Sequence, residues 1–157
     1  MSQVVIDAID RKILKYLITN ARMPFLEIAR KCGISGAAIH QRIRKLDEAG
    51  VILGSRLVVN PKMMGFDVCA HISITLKDPQ LLKKTVEELR KVPEIVECHF
   101  ITGTYNLFVK LYCVDNEHLM TTLCDRILAI PGISTTQTYI SLNEAFQRQI
   151  YVDCLHD

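Results

Sequence analysis

Gln41, Arg42, Arg44 and Lys45 place one amide and three cations within five consecutive positions, and Ser35, Ala37 and His40 lead into them. A Gln amide matches the edge of adenine and an Arg guanidinium that of guanine, each bidentate in a DNA major groove. Lys and Arg also neutralise phosphates whatever the sequence. The chemistry on offer is recognition of double-stranded DNA, with no bond made or broken. On this reading Gln41 and Arg44 meet bases and His40 and Lys45 assist, while Arg42 holds phosphate or the domain itself. Ser35 caps the element, and the small Ala37 lets backbone and phosphate approach closely.

These side chains can act together only if one element presents them on one face. Phe25, Ile28 and Ala29 recur at helical spacing until Cys32 and Gly33, and Gly33 can take the positive φ that ends a helix. Ser35 then opens a second helix whose apolar stripe is Ile39, Ile43 and Leu46, closed by Gly50. That second helix, roughly fourteen residues and about 21 Å long, suits a major groove. Upstream, Ile6, Ile9, Ile13, Leu14 and Leu17 predict a third helix, with Asp7 or Asp10 at its positive end. Downstream, residues 51–59 are β-rich but broken by Gly54 and Ser55, which predicts a short hairpin packed on the helices as a wing. The N-terminal part therefore reads as a winged helix-turn-helix over residues 1–60.

Charge supports that division. Residues 1–60 carry ten Lys and Arg against five Asp and Glu, whereas residues 61–157 carry nine against twelve, so the overall +2 conceals a basic half. A chain of 157 residues, 49% hydrophobic, can bury one or two modest cores, and the charge step favours two. No apolar run reaches membrane-spanning length, and the N-terminus lacks a basic start and a cleavage site, so no membrane partner and a cytoplasmic location are expected.

The remaining reactive residues form no catalytic or metal constellation. The five histidines (40, 71, 99, 118, 156) are scattered, without a nucleophile, paired carboxylates or phosphate-loop spacing, which argues against an enzyme. The six cysteines (32, 69, 98, 113, 124, 154) include no C-x-x-C pair and sit mostly in apolar phase, as reduced core thiols do. His71 falls on a different strand from Cys98 and His99, and the three lack ligand spacing, so neither metal nor cofactor is expected. The rival to DNA binding is a winged helix that binds protein, joined to a domain that only oligomerises.

Beyond a linker at residues 60–65, the pattern alternates between strand and helix. Strands are predicted over 68–76, 95–101, 107–113 and 133–142, with helices opening at Asp78-Pro79 and spanning 116–129; residues 143–153 are read as a further strand. The order βαββαβ, with a weak internal echo between residues 89–95 and 127–133, predicts a ferredoxin-like sandwich over residues 61–157 and makes the chain α+β. Two helices cover only one face of such a sheet. Phe108, Lys110 and Tyr112, with Cys69, His71 and Ser73, are expected on the other, a mixture that suits a self-complementary interface and hence a homodimer.

Across nearly its whole length the chain resembles the Lrp/AsnC, or feast/famine, family of prokaryotic transcription regulators. The resemblance is carried by Asp10-Arg11-Lys12-Ile13-Leu14, Asn20-Ala21-Arg22, Glu27-Ile28-Ala29, Gly33-Ile34-Ser35, Arg42-Ile43-Arg44-Lys45-Leu46 and Gly50-Val51-Ile52, followed by Gly103-Thr104-Tyr105-Asn106 and Ile130-Pro131-Gly132-Ile133. It implies dimers that associate further, commonly to octamers, and a small effector, usually an amino acid, bound between dimers. The implied effector residues are Gly103, Thr104, Tyr105 and Asn106 of the turn, with Thr136 and Thr138 of the last long strand. Where the family often reads G-D/N-Y-D, this chain has Thr104 and Asn106. Neither supplies a carboxylate to an ammonium group, which shifts the expectation towards neutral amino acids.

Overall fold

The computed structural model describes residues 5–152. The chain divides into two compact units: one holds the residues up to Leu57 together with those from Phe146 onward, the other is Val58–Ala145. His156 and Cys154 lie outside the described residues.

The first unit is three helices, α1 (Ala8–Thr19), α2 (Phe25–Cys32) and α3 (Gly36–Glu48). Asp7 caps α1 by accepting the N–H groups of Ile9 and Asp10 at 2.9 and 2.8 Å, while Asp10 returns a carboxylate to the Asp7 N–H, a reciprocal capping box. Gly33, at φ 69°, ends α2, and the Ile34 N–H bonds back to the Ala29 carbonyl at 3.0 Å. Ser35 then caps α3 by accepting the Ala38 N–H at 3.2 Å. Ile13, Ile28, Ala29, Ile39 and Ile43 form the shared core. Leu14 and Leu46 form a second small cluster with Val152, contributed by the end of the chain.

The expected wing is absent. Residues 51–59 contain no strand, and Leu53, Leu57, Val58 and Val59 are exposed. The reason lies in the end of α3: the N–H groups of Val51 and Ile52 both turn back to the Leu46 carbonyl, at 2.9 and 3.2 Å, and so cannot pair across a hairpin. Their side chains pack on the Leu14–Leu46 cluster instead. Likewise residues 143–152 form no strand.

The second unit is a four-stranded antiparallel sheet of β1 (Val68–Leu76), β2 (Ile95–Phe100), β3 (Leu107–Cys113) and β4 (Ile133–Ser141), in the spatial order β2-β3-β1-β4. This is the ferredoxin-like order that the βαββαβ pattern predicted. Val68, Ala70, Ile72, Ile74 and Leu76 of β1, with Leu107, Val109, Leu111 and Cys113 of β3, face helices α4 (Leu82–Leu89) and α5 (Asn116–Thr121). The second helix is less regular than its pattern suggested. From Thr122 to Ile127 it widens into π-type turns, with the Leu128 N–H reaching the Leu123 carbonyl five residues back at 2.8 Å. Helix and strand meet tightly at Gly132, where a Cβ would lie 2.3 Å from the buried Thr85 hydroxyl oxygen.

Candidate DNA-reading helix and effector site

Burial divides the faces of α3. Ile39, Ile43 and Leu46 face the core, while Ala37, His40, Gln41, Arg44 and Lys45 are exposed. Ala38, Gln41, Arg42, Arg44, Lys45 and Glu48 line one open groove along the helix, together with Asp7. Gln41 and Arg44 have no side-chain hydrogen-bond or ion-pair partner among the described residues, so both are available to a ligand. Ser35 is engaged in its capping bond. His40 is anchored at one edge, its ring packed against Phe25 with centroids 5.4 Å apart.

Arg42 is engaged within its own domain. Its Nη1 donates to Asp10 at 2.6 Å and to Asp7 at 2.7 Å, so it holds the domain. Those hydrogen bonds, Asp7 first, push the guanidinium pKa up. The Asp10 N–H, followed by Arg42, holds the Asp7 carboxyl below its usual range. Lys45 is drawn the same way: its Nζ lies 3.6 Å from Asp10 and donates to the Val5 carbonyl at 3.2 Å. Asp10 and Asp7 are the residues the sequence reading missed here. Both were visible as helix-start acids, but nothing in the local pattern tied them to a cation more than thirty residues away.

The expected effector residues are not all on one surface. In β4, Thr136 and Thr138 pair with Ile74 and Ile72, which face the helices, whereas Gln137 and Tyr139 pair with Ser73 and His71 on the open face. Tyr105 reaches the open face and donates its hydroxyl to Gln137. Tyr139 shares this face with Tyr105, and burial followed by Tyr105 pushes its phenol pKa up. Asn106 is spent on the fold: its side-chain oxygen accepts the Leu76 N–H at 2.8 Å and its own N–H bonds to the Ile74 carbonyl at 2.9 Å. Gly103, at φ 115°, makes the bend, and Thr104 is exposed beside it. Gln137 and Tyr139 are additions that the sequence did not single out, and they stand opposite Ser73 and His71, which the sequence placed on this face for dimerisation only. Strict alternation along β4 signalled that Gln137 faces away from its Thr neighbours, but only the register with β1 brings it to Tyr105.

The rest of the open face is as expected. Cys69, His71 and Ser73 stand opposite Tyr112, Lys110 and Phe108. His71 stacks on Phe108, with centroids 5.5 Å apart, and the Lys110 ammonium lies 5.4 Å from the centre of the Tyr112 ring. Burial alone would pull the Lys110 pKa down, but the 3.0 Å bond to Glu144 and the neighbouring Tyr112 more than offset it and leave the amine firmly charged. No group of His, Cys, Asp and Glu among the described residues has metal-binding geometry.

The chain matches two family models, the AsnC-type helix-turn-helix domain over residues 6–47 and the Lrp/AsnC ligand binding domain over residues 67–151. It is 36% identical over 150 residues to the regulatory protein AsnC of Escherichia coli K12, covering 96% of this chain and 99% of the relative. It is 37% identical over 140 residues to the HTH-type transcriptional regulator FL11 of Pyrococcus horikoshii, covering 89% of this chain and 91% of that one. The solved structure of E. coli AsnC superposes with a TM-score of 0.88 over 94% of this chain and 99% of that chain, at 36% identity. A feast or famine regulatory protein from M. tuberculosis, solved in complex with L-methionine, superposes with a TM-score of 0.87 at 25% identity, covering 94% of this chain and 99% of that one. With both family models matched in order and the paired-helix and sheet geometry in place, the chain belongs to the Lrp/AsnC family: it is a DNA-binding transcriptional regulator, not an enzyme.

Proposed function

We propose that this regulator binds DNA as a homodimer through residues 1–60, with Gln41 and Arg44 reading bases, and that residues 61–157 carry assembly and a neutral amino-acid effector. The observation that carries the reading is the free stripe of Gln41 and Arg44 on α3, flanked by cations already committed to the domain. Base-reading groups are exposed and unspent, as a specific contact requires. Ser35 and Ala37 approach the backbone, His40 and Lys45 flank the contact, and Arg42, bound to Asp7 and Asp10, holds the helix from behind without touching DNA.

For assembly, the support is the open sheet face, where apolar ring surface and a charged Lys110 lie side by side. Two copies related by a two-fold axis would cover it and set two half-sites about one helical turn apart. Four such dimers then build the octamer. As a DNA-binding protein it works where the chromosome is, in the cytoplasm, and no described helix is long and apolar enough to cross a membrane.

For the effector, the support is the turn of Gly103, Thr104, Tyr105 and Asn106 at the end of the sheet, where Tyr105 meets Gln137 of β4 on the open face while Thr136 and Thr138 lie on the opposite side of the same strand, none of them carrying a carboxylate. The M. tuberculosis relative's L-methionine complex supports the same ligand class. An effector acts only through different affinities for two arrangements of the protein. The test is a thermal-shift screen of the twenty amino acids, followed by gel shifts on DNA selected from a random library. A neutral amino acid that stabilises wild type, loses its effect in Thr138→Ala and changes the gel shift supports the reading. A ligand that stabilises wild type and Thr138→Ala equally places the site elsewhere.

A further inference from the structure

We infer that Asp10, which touches no DNA, is a positioning residue for DNA reading: it withholds Arg42 and Lys45 from phosphates and fixes the rotation of α3 that aims Gln41 and Arg44. Asp10 is fully buried, at 0% exposure, in the first turn of α1. One of its oxygens holds Arg42 at 2.6 Å, and the other accepts the Asp7 N–H and lies 3.6 Å from Lys45. Both cations sit on α3, beside the exposed stripe.

The energetics favour keeping them there. A carboxylate buried without its cations is heavily penalised, whereas one exposed phosphate contact returns little. Arg42 therefore stays with Asp10 when DNA binds, and Asp7, at 2.7 Å, shares the load. Two holding points on successive turns of α3 also resist rotation about its axis, and a small roll would carry Gln41 and Arg44 off the base edges. An N-terminal acid thus sets the balance between specific and indiscriminate binding. It subtracts phosphate contacts that serve every sequence and preserves the geometry that serves one.

The inference rests on α3 facing DNA, and wild-type binding in the same assay tests that premise separately. The experiment measures affinity against salt for the full chain on two labelled duplexes, one selected from a random library by the wild type and one of mixed sequence. In Asp10→Asn the log–log salt slope should steepen by about 0.9 for each cation released to a phosphate. The affinity ratio between the two duplexes should fall at least about tenfold, since each misread base pair costs that order. Adding Arg42→Gln to Asp10→Asn should return most of the slope, while Arg42→Gln alone should leave it at the wild-type value. A merely structural role weakens binding without steepening the slope. If Asp10→Asn is folded by circular dichroism and its slope is unchanged or shallower, the inference is overturned. Should Asp10→Asn fail to fold, Arg42→Gln decides: an unchanged slope supports the inference, and a slope shallower by about 0.9 per half-site overturns it.

Discussion

Arg126 grips both carboxylate oxygens of Glu94, at 2.7 and 2.8 Å, and His118 adds a third contact at 3.0 Å, so the start of β2 is tied to the helix that follows β3. Burial raises the Glu94 pKa, but its own backbone N–H, His118 and Arg126 together outweigh this and leave it below its ordinary value. A depressed folded pKa contributes stability that is present above the unfolded value, near 4.5, and is lost as pH falls through the folded one. Glu94→Gln should therefore lower the melting temperature of the sheet unit at neutral pH and flatten its loss below about pH 4.5. Melting curves of wild type and variant between pH 3 and pH 7 check this, and parallel curves would refute it.

Gly132→Ala should destabilise the sheet unit by about 1–3 kcal/mol, the usual cost of overpacking a close contact. The added methyl would stand 2.3 Å from the Thr85 hydroxyl oxygen, which is buried and has little room to move. Thr85→Ala in the same chain should recover part of the loss. Urea denaturation of the single and double variants measures both effects.

Arg44→Ala should lose about 1–3 kcal/mol of DNA affinity and relax preference at one base position. Lys45→Ala should cost less and act alike on every sequence, because part of that side chain's charge is already balanced by Asp10. Selection from a random library, repeated with each variant, separates the two outcomes. An Arg44→Ala protein with unaltered affinity and base preference would mean that α3 reads DNA through other residues.

The fragment Phe66–Ala145 should dimerise at micromolar concentration, and Lys110→Glu should weaken that dimer. Lys110 lies at the middle of the open face with its charge balanced by Glu144, and reversing it sets two carboxylates side by side. Light scattering of both fragments is the measurement, and a monomeric wild-type fragment would remove the open face as the dimer surface.

Most of this architecture was legible because it rests on local periodicity and on capping chemistry. The positive φ at Gly33, the Ser35 cap and the inward stripe of Ile39, Ile43 and Leu46 all follow from residue type and spacing. What escaped depends on partners distant in the sequence. Val51 and Ile52 look like strand residues, and only the Leu46 carbonyl, competing for their N–H groups, shows why no wing forms. Asn106 looks like a ligand contact until the end of β1 claims its amide, and Gln137 looks incidental until register sets it beside Tyr105. Asp10 looks like an ordinary helix-start acid until Arg42 is found upon it.

Val152 packs on Leu14 and Leu46, although nearly the whole sheet unit intervenes between them in the chain. In topological terms the sheet unit is an insertion into the helical one, leaving it at Leu57 and returning at Phe146. A protein cut near residue 60 would thus lack a piece of its helical core, so the reading unit cannot be excised whole by a single truncation.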